Sequence, residues 1–198
     1  MTDEIDIVLA SSSRARTRML TDAGVAHSCD PAHVNESGIK AGWTGRPEAL
    51  ARELARTKAL TVGARHPDAL VIGADQVLAL GTNVVDKPGS VDKVCEQLQR
   101  LSGREHRLIS AVAVAHGPDI VWDFVDVAHM HMRTFSEAFL DDYIARVGDD
   151  VIGSAGAYHL ENLGAQLFDK VEGDFFTVLG LPLIPLLNVL RSRGALKN

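Results

Sequence analysis

The chain predicts an α/β protein, and three features carry that expectation. Strand-like and helix-like stretches alternate from end to end. No internal repeat, low-complexity segment or long linker interrupts them. Of the 198 residues, 46% are hydrophobic and 23% charged, an ordinary globular balance. This length suits a single domain over residues 1–198, or one domain with two lobes, and supports a core without disulfides or a structural metal.

Residues 5–10 (Ile-Asp-Ile-Val-Leu-Ala) read as a first strand. Three serines come after it, then a helix over about 13–23 that stops at Gly24. A loop with room for a short strand comes next. Pro47, favourable at a first helical position, opens a long helix reaching about residue 64, with Glu48 and Arg52 spaced as an i,i+4 pair. Residues 69–80 are almost continuously apolar, as in a strand buried on both faces. Lys87-Pro88-Gly89 makes a turn, and a helix over about 91–101 ends near Gly103. Two long strands, about 105–116 and 120–133, are joined by His116-Gly117-Pro118-Asp119 as a hairpin. Ser136 caps a helix over about 137–147. The stretch 153–182, rich in glycine and aromatics, is expected to hold short strands and turns, and a helix from Pro182 to Arg193 closes the chain.

Charge and composition exclude several classes. A net charge of −6 argues against general nucleic-acid or anionic-membrane binding, so an anionic substrate would need locally gathered cations. The N-terminus is acidic where a secretion signal would be basic. The apolar stretch Leu179 to Leu190 is short and broken by Pro182 and Pro185, so it does not span a bilayer. A cytoplasmic location is the expectation. Cys29 and Cys95 lie far apart and form no metal-binding spacing.

Three places carry chemistry. The first is the strand–serine–helix junction at Ser11, Ser12 and Ser13, where free N–H groups, a partial positive charge and hydroxyls make a ready anion site. Arg16 falls on the apolar face of the adjoining helix. It must pair with a buried carboxylate, snorkel outward or meet an anionic ligand. The second is Lys58, in the middle of the apolar face of the helix after Pro47, open to the same alternatives. The third is Asp75, mid-strand in the most apolar segment. A carboxylate there is ion-paired, metal-bound or protonated. Together they would suit phosphate chemistry, the cations offsetting charge and the carboxylate serving as general base or magnesium ligand.

In order and spacing these residues resemble the Maf family of nucleotide pyrophosphatases. Leu9-Ala-Ser-Ser-Ser13-Arg-Ala-Arg16-Thr-Arg-Met-Leu20 is similar to that family's opening motif, with Arg14 and Ala15 in place of its proline and first arginine. Glu36 in Val34-Asn-Glu-Ser37, Lys58 in Ala55-Arg-Thr-Lys-Ala59 and Asp75 in Gly73-Ala-Asp-Gln-Val77 continue the match. So do Asp86-Lys87-Pro88, Leu101-Ser-Gly103 with His106 and Ser110, Gly153 to Tyr158, and Gly173 to Pro182. Gln76, Glu161, Gly164 and Leu167-Phe168 resemble the branch associated with 7-methyl-GTP.

The resemblance implies a Maf/ITPase-like mixed β-sheet with flanking helices in two lobes around a central cleft, and a homodimer. It implies hydrolysis of a nucleoside triphosphate between the α and β phosphates, with Asp75 as proton acceptor for water. It implies that Lys58, Lys87 and Arg16 hold the triphosphate with Ser11 and Ser13 nearby. A divalent cation, Mg²⁺ or Mn²⁺, would sit at Asp75 and Glu36, and Glu161 would help place metal, water or base. A nucleotide-binding regulator of division or septation without turnover, and a phosphatase releasing single phosphates, are the rival readings. His129 and His131 share a strand face but lack a third metal ligand. Trp43, Trp122, Phe175 and Phe176 are expected to pack, with stacking on a base the alternative for Trp43, and the glycine-rich Gly153 to Gly156 lacks a P-loop ending.

Overall fold

The computed structural model describes residues 5–197. The elements in chain order are β1 (Ile7–Leu9), α1 (Arg14–Asp22), β2 (Ser28–Cys29), α2 (Glu36–Ala41), α3 (Pro47–Gly63), β3 (Leu70–Leu80) and β4 (Asn83–Val85). Next come α4 (Val91–Leu101), β5 (Glu105–His116), β6 (Asp119–Met132), α5 (Glu137–Val147), β7 (Phe168–Glu172), α6 (Phe175–Val178) and α7 (Leu183–Ser192). The strands form one mixed sheet in the order β2-β1-β3-β5-β6-β7, with β4 also on β3. β1 runs parallel to β3, β5 runs antiparallel to β3, and β6 runs antiparallel to β5. No helix among the described residues is long and apolar enough to cross a membrane.

The sheet sorts its side chains by parity. Along β3, Val71, Gly73, Asp75, Val77 and Ala79 face one way, and most of the apolar ones pack with Leu50, Ala51, Leu54 and Ala59 of α3. Gly73 lets that helix come close: a Cβ there would stand 2.2 Å from the Ala55 carbonyl oxygen and 2.5 Å from the Ala59 nitrogen. On the other face two clusters lie side by side. Ile72 and Ala74 join Met19, Leu20, Leu186 and Leu190 from α1 and α7. Leu78 and Leu80 join Leu98, Leu101, Leu140 and Tyr143 from α4 and α5. Gln76 lies between them in sequence, at the seam of two lobes.

The outer side of β3 has a gap. β1 pairs with it only over Leu70–Ile72, and β4 only over Leu78–Leu80. Among the described residues, 73–77 therefore have no strand partner on that side. α1 begins just past the end of β1, and the segment after β4 leads into Lys87.

Several expectations change. α2 and β4 are additional elements, one a short helix with no buried residue and the other a three-residue strand. Glu48 does not pair with Arg52: Glu48 takes Arg107 of β5 at 2.5 Å, and Arg52 reaches Asp123 of β6 at 3.1 Å. Phe175 is half exposed rather than in the core, since it opens the one-turn α6.

Candidate active site

A pocket of about 590 Å³ opens over the gap in β3. Its floor is Asp75, Gln76 and Val77. One wall is the start of α1 with Ser13 and Arg16, and others carry Glu36, Lys58 and Lys87. Gly153 to Gly156, Tyr158 and Glu161 line it from a further segment, and Val178 to Gly180 close it behind α6. The pocket thus gathers all but one of the residues singled out from sequence: Ser13, Arg16, Glu36, Lys58, Asp75, Lys87 and Glu161, the last exposed at its wall.

Ser11 is the exception. It is buried and borders a shallower neighbouring hollow. Its Oγ accepts from Arg16 Nη1 and from the Ser13 amide, both at 3.2 Å. Its hydroxyl oxygen thus supports Arg16 from outside the pocket lining. Ser13 caps α1, its Oγ accepting from the Arg16 amide at 3.4 Å.

The charged centre is a carboxylate–ammonium–carboxylate chain. Lys58 Nζ lies 2.6 Å from Asp75 Oδ1 and 2.6 Å from Glu36 Oε1. The side chains of Lys58 and Asp75 are only 10% and 8% exposed. Local sequence explains the meeting. Lys58 sits between Ala55 and Ala59, the two residues that lie against Gly73, and Asp75 is on the same face of β3 two residues on. Small residues at the contact bring the backbones close enough for an ammonium to reach a mid-strand carboxylate. A buried charge needs such a partner.

Arg16 is fixed by its own hydrogen bonds. Nε donates to the Gly180 carbonyl oxygen at 2.9 Å and Nη1 to Ser11. Burial pulls its guanidinium below the ordinary value, opposed by the nearby charges of Asp75 and Glu36. Burial pushes the Glu36 carboxyl upward, but its hydrogen bond to Lys58 and the charges of Lys58, Lys40 and Lys87 outweigh that and hold it below the usual range. Positive charge therefore surrounds Glu36, even though the whole chain is acidic.

The Maf-like protein family matches residues 6–193. This chain belongs to the Maf family. It is 48% identical over 192 residues to a "Nucleoside triphosphate pyrophosphatase" of Paramagnetospirillum magneticum, covering 96% of this chain and 99% of that one. It is 42% identical over 193 residues to a "7-methyl-GTP pyrophosphatase" of Rhizobium johnstonii, covering 96% and 97%. A "Nucleoside triphosphate pyrophosphatase" of Caulobacter vibrioides is 46% identical over 193 residues, covering 96% of both.

In this Maf-family pocket, sequence reasoning missed Arg14, Arg18 and Lys40, all of which line it. Outside the pocket lining, it also missed the contact between Thr177 and Asp126, whose side chains meet at 2.7 Å. A polar residue inside an apolar run was the available signal for Ser110 and Thr177, as it was for Asp75. His129 and His131 pair with Glu105 and Glu172 at 2.7 Å each, away from the pocket. Trp43 donates to the Arg46 carbonyl oxygen and does not line the pocket.

Proposed function

We infer that this Maf-family chain is a nucleoside triphosphate pyrophosphatase, a hydrolase that opens the α–β anhydride to give a nucleoside monophosphate and pyrophosphate. One observation carries the reading: a buried carboxylate, Asp75, hydrogen-bonded to Lys58 on the floor of a pocket lined by Arg16, Lys58 and Lys87. Phosphoryl transfer asks for positioned charge more than for covalent chemistry. The three cations offset the triphosphate, and the free N–H groups at the start of α1 add to them.

Asp75 is proposed as the proton acceptor. Water held at its carboxylate gives up a proton as its oxygen attacks the α-phosphorus. The bond from that phosphorus to the bridging oxygen breaks, and pyrophosphate leaves with the electron pair. Lys58 holds Asp75 and Glu36 in place. Arg16 has no hydrogen bond from Nη2 among the described residues, which leaves a donor for a phosphate oxygen.

The donor set also suits a divalent cation delivered with the nucleotide. Asp75 and Glu36 each give only one oxygen to Lys58. Two carboxylates plus substrate phosphates are what Mg²⁺ commonly takes, rather than a dedicated protein cage. Among the described residues no group of three His, Cys, Asp or Glu gathers as a metal site by itself. When bound, the cation, Mg²⁺ or Mn²⁺, supplies charge neutralisation on the phosphates. Glu161 is proposed to meet the base.

The test is an assay with Mg²⁺ or Mn²⁺ and a panel of canonical and methylated triphosphates. Pyrophosphate with monophosphate supports the reading. Stepwise orthophosphate makes the protein a phosphatase, and tight binding without turnover makes it a nucleotide-binding regulator. Glu161→Gln is expected to reorder preference within the panel; an unchanged order removes Glu161 from base recognition.

A further inference from the structure

Behind the pocket, a row of polar side chains crosses the sheet where its two lobes meet. Gln76 on β3 stands directly opposite Ser110 on β5, and Ser110 opposite Asp126 on β6. Paired residues of neighbouring strands share a face. The row therefore lies on the face opposite Asp75, between the cluster around Ala74 and Val112 and the cluster around Leu78 and Leu108.

All three side chains converge on α6. Ser110 Oγ donates to the Thr177 carbonyl oxygen at 2.7 Å. Gln76 Nε2 lies 3.1 Å from that oxygen, 2.9 Å from the Val178 carbonyl oxygen and 3.0 Å from Ser110 Oγ. Thr177 Oγ1 donates to Asp126 Oδ2 at 2.7 Å. Ser110 and Thr177 are fully buried. A four-residue helix has little stability of its own, so these bonds fix where it sits.

Past α6 the chain forms a wall of the pocket. The Gly180 amide donates to the same Thr177 carbonyl oxygen at 3.1 Å. Gly180 has φ of 99°, a conformation other residues rarely adopt. Its carbonyl oxygen then accepts from Arg16 Nε. The path runs from Asp126 and Ser110 through Thr177 and Gly180 to the guanidinium in the pocket.

We propose that Thr177, held by Ser110, Gln76 and Asp126, is a positioning residue that sets the place of Arg16 through the Gly180 carbonyl. The inference rests on the pyrophosphatase reading of the pocket. None of Thr177, Ser110 and Asp126 lines the pocket, so they act through Arg16 and not on substrate.

A double-mutant cycle on the full chain tests it, with kcat/KM for a triphosphate and melting temperature measured for every variant. Thr177→Val is expected to lower kcat/KM on the order of tenfold, as a misplaced positioning group does. Thr177→Ser, which keeps the hydroxyl, is expected to restore it to within about twofold of the parent chain. In an Arg16→Ala background the same Thr177→Val change is expected to cost no more than about twofold, because coupled groups are non-additive. Equal losses in both backgrounds overturn the proposal and leave Thr177 a packing residue; so does an unchanged rate in Thr177→Val. Should Arg16→Ala itself hydrolyse at the parent rate, Arg16 leaves the pyrophosphatase reading and the proposal falls with it. If Thr177→Val does not fold, Ser110→Ala and Asp126→Asn carry the same comparison with the same outcomes.

Discussion

Two carboxylate-bearing clusters on this protein are alike in bond length and differ in almost everything else. In the pocket, Lys58 meets Asp75 at 2.6 Å with side chains 10% and 8% exposed. On the sheet surface, His129 meets Glu105 at 2.7 Å with side chains 46% and 49% exposed. His131 and Glu172 repeat the surface arrangement at 2.7 Å, joined by Lys170. Water screens the second cluster and barely reaches the first. Distance alone therefore does not separate the candidate site from a surface pairing. Burial does, together with the further cations, Arg16 and Lys87, gathered around the pair.

Asp75→Asn breaks the comparison most sharply. Turnover is expected to fall at least about 1000-fold while nucleotide binding stays within a few-fold, as when a proton acceptor is lost from an intact site. Steady-state kinetics beside a binding titration check it, and a near-parent rate would remove Asp75 from the mechanism. Gly73→Ala attacks the same pair through packing alone. The new methyl meets the backbone of α3, so a loss of about 3 kcal/mol is expected, or roughly 6–12 °C in melting temperature, together with lower activity.

A third histidine sharpens the contrast. His106 is buried beside Tyr158, its Nε2 2.7 Å from the phenol oxygen and its Nδ1 without a partner among the described residues. Burial pushes its pKa down to about 4 from the ordinary 6.5. Between these values the unfolded chain binds a proton that the folded chain refuses. Stability therefore falls as pH drops from 6.5 toward 4, by on the order of 3 kcal/mol. Chemical denaturation across that range is expected to show the slope, and His106→Phe to flatten it. The smallest effect belongs to the surface. His129→Gln with His131→Gln is expected to move the melting temperature by no more than about 1–2 °C and to leave turnover unchanged.

Part of this is legible in the sequence alone. Lys58 and Asp75 announced themselves because a charge inside an apolar period needs a partner, and each proved to be the other's. Arg16 was readable on the same ground. α2 was not, because Glu36-Ser-Gly-Ile-Lys-Ala carries no apolar periodicity and buries nothing. β4 is too short to leave a pattern. The link from Asp126 to Thr177 spans residues 51 apart, and only the strand register shows that Ser110 and Gln76 belong to it. The bond from Arg16 to Ser11 was not legible either, because a hydroxyl before a helix looks the same in sequence whatever donates to it.

The break in pairing along the outer side of β3 has a consequence beyond catalysis. An unbroken apolar ribbon of eleven residues, open on one side, would invite strands from other molecules to add to it. Here β1 and β4 occupy the two ends, and the stretch left between them carries a carboxylate at its centre. The stretch left unpaired is too short and too charged to template a fibril.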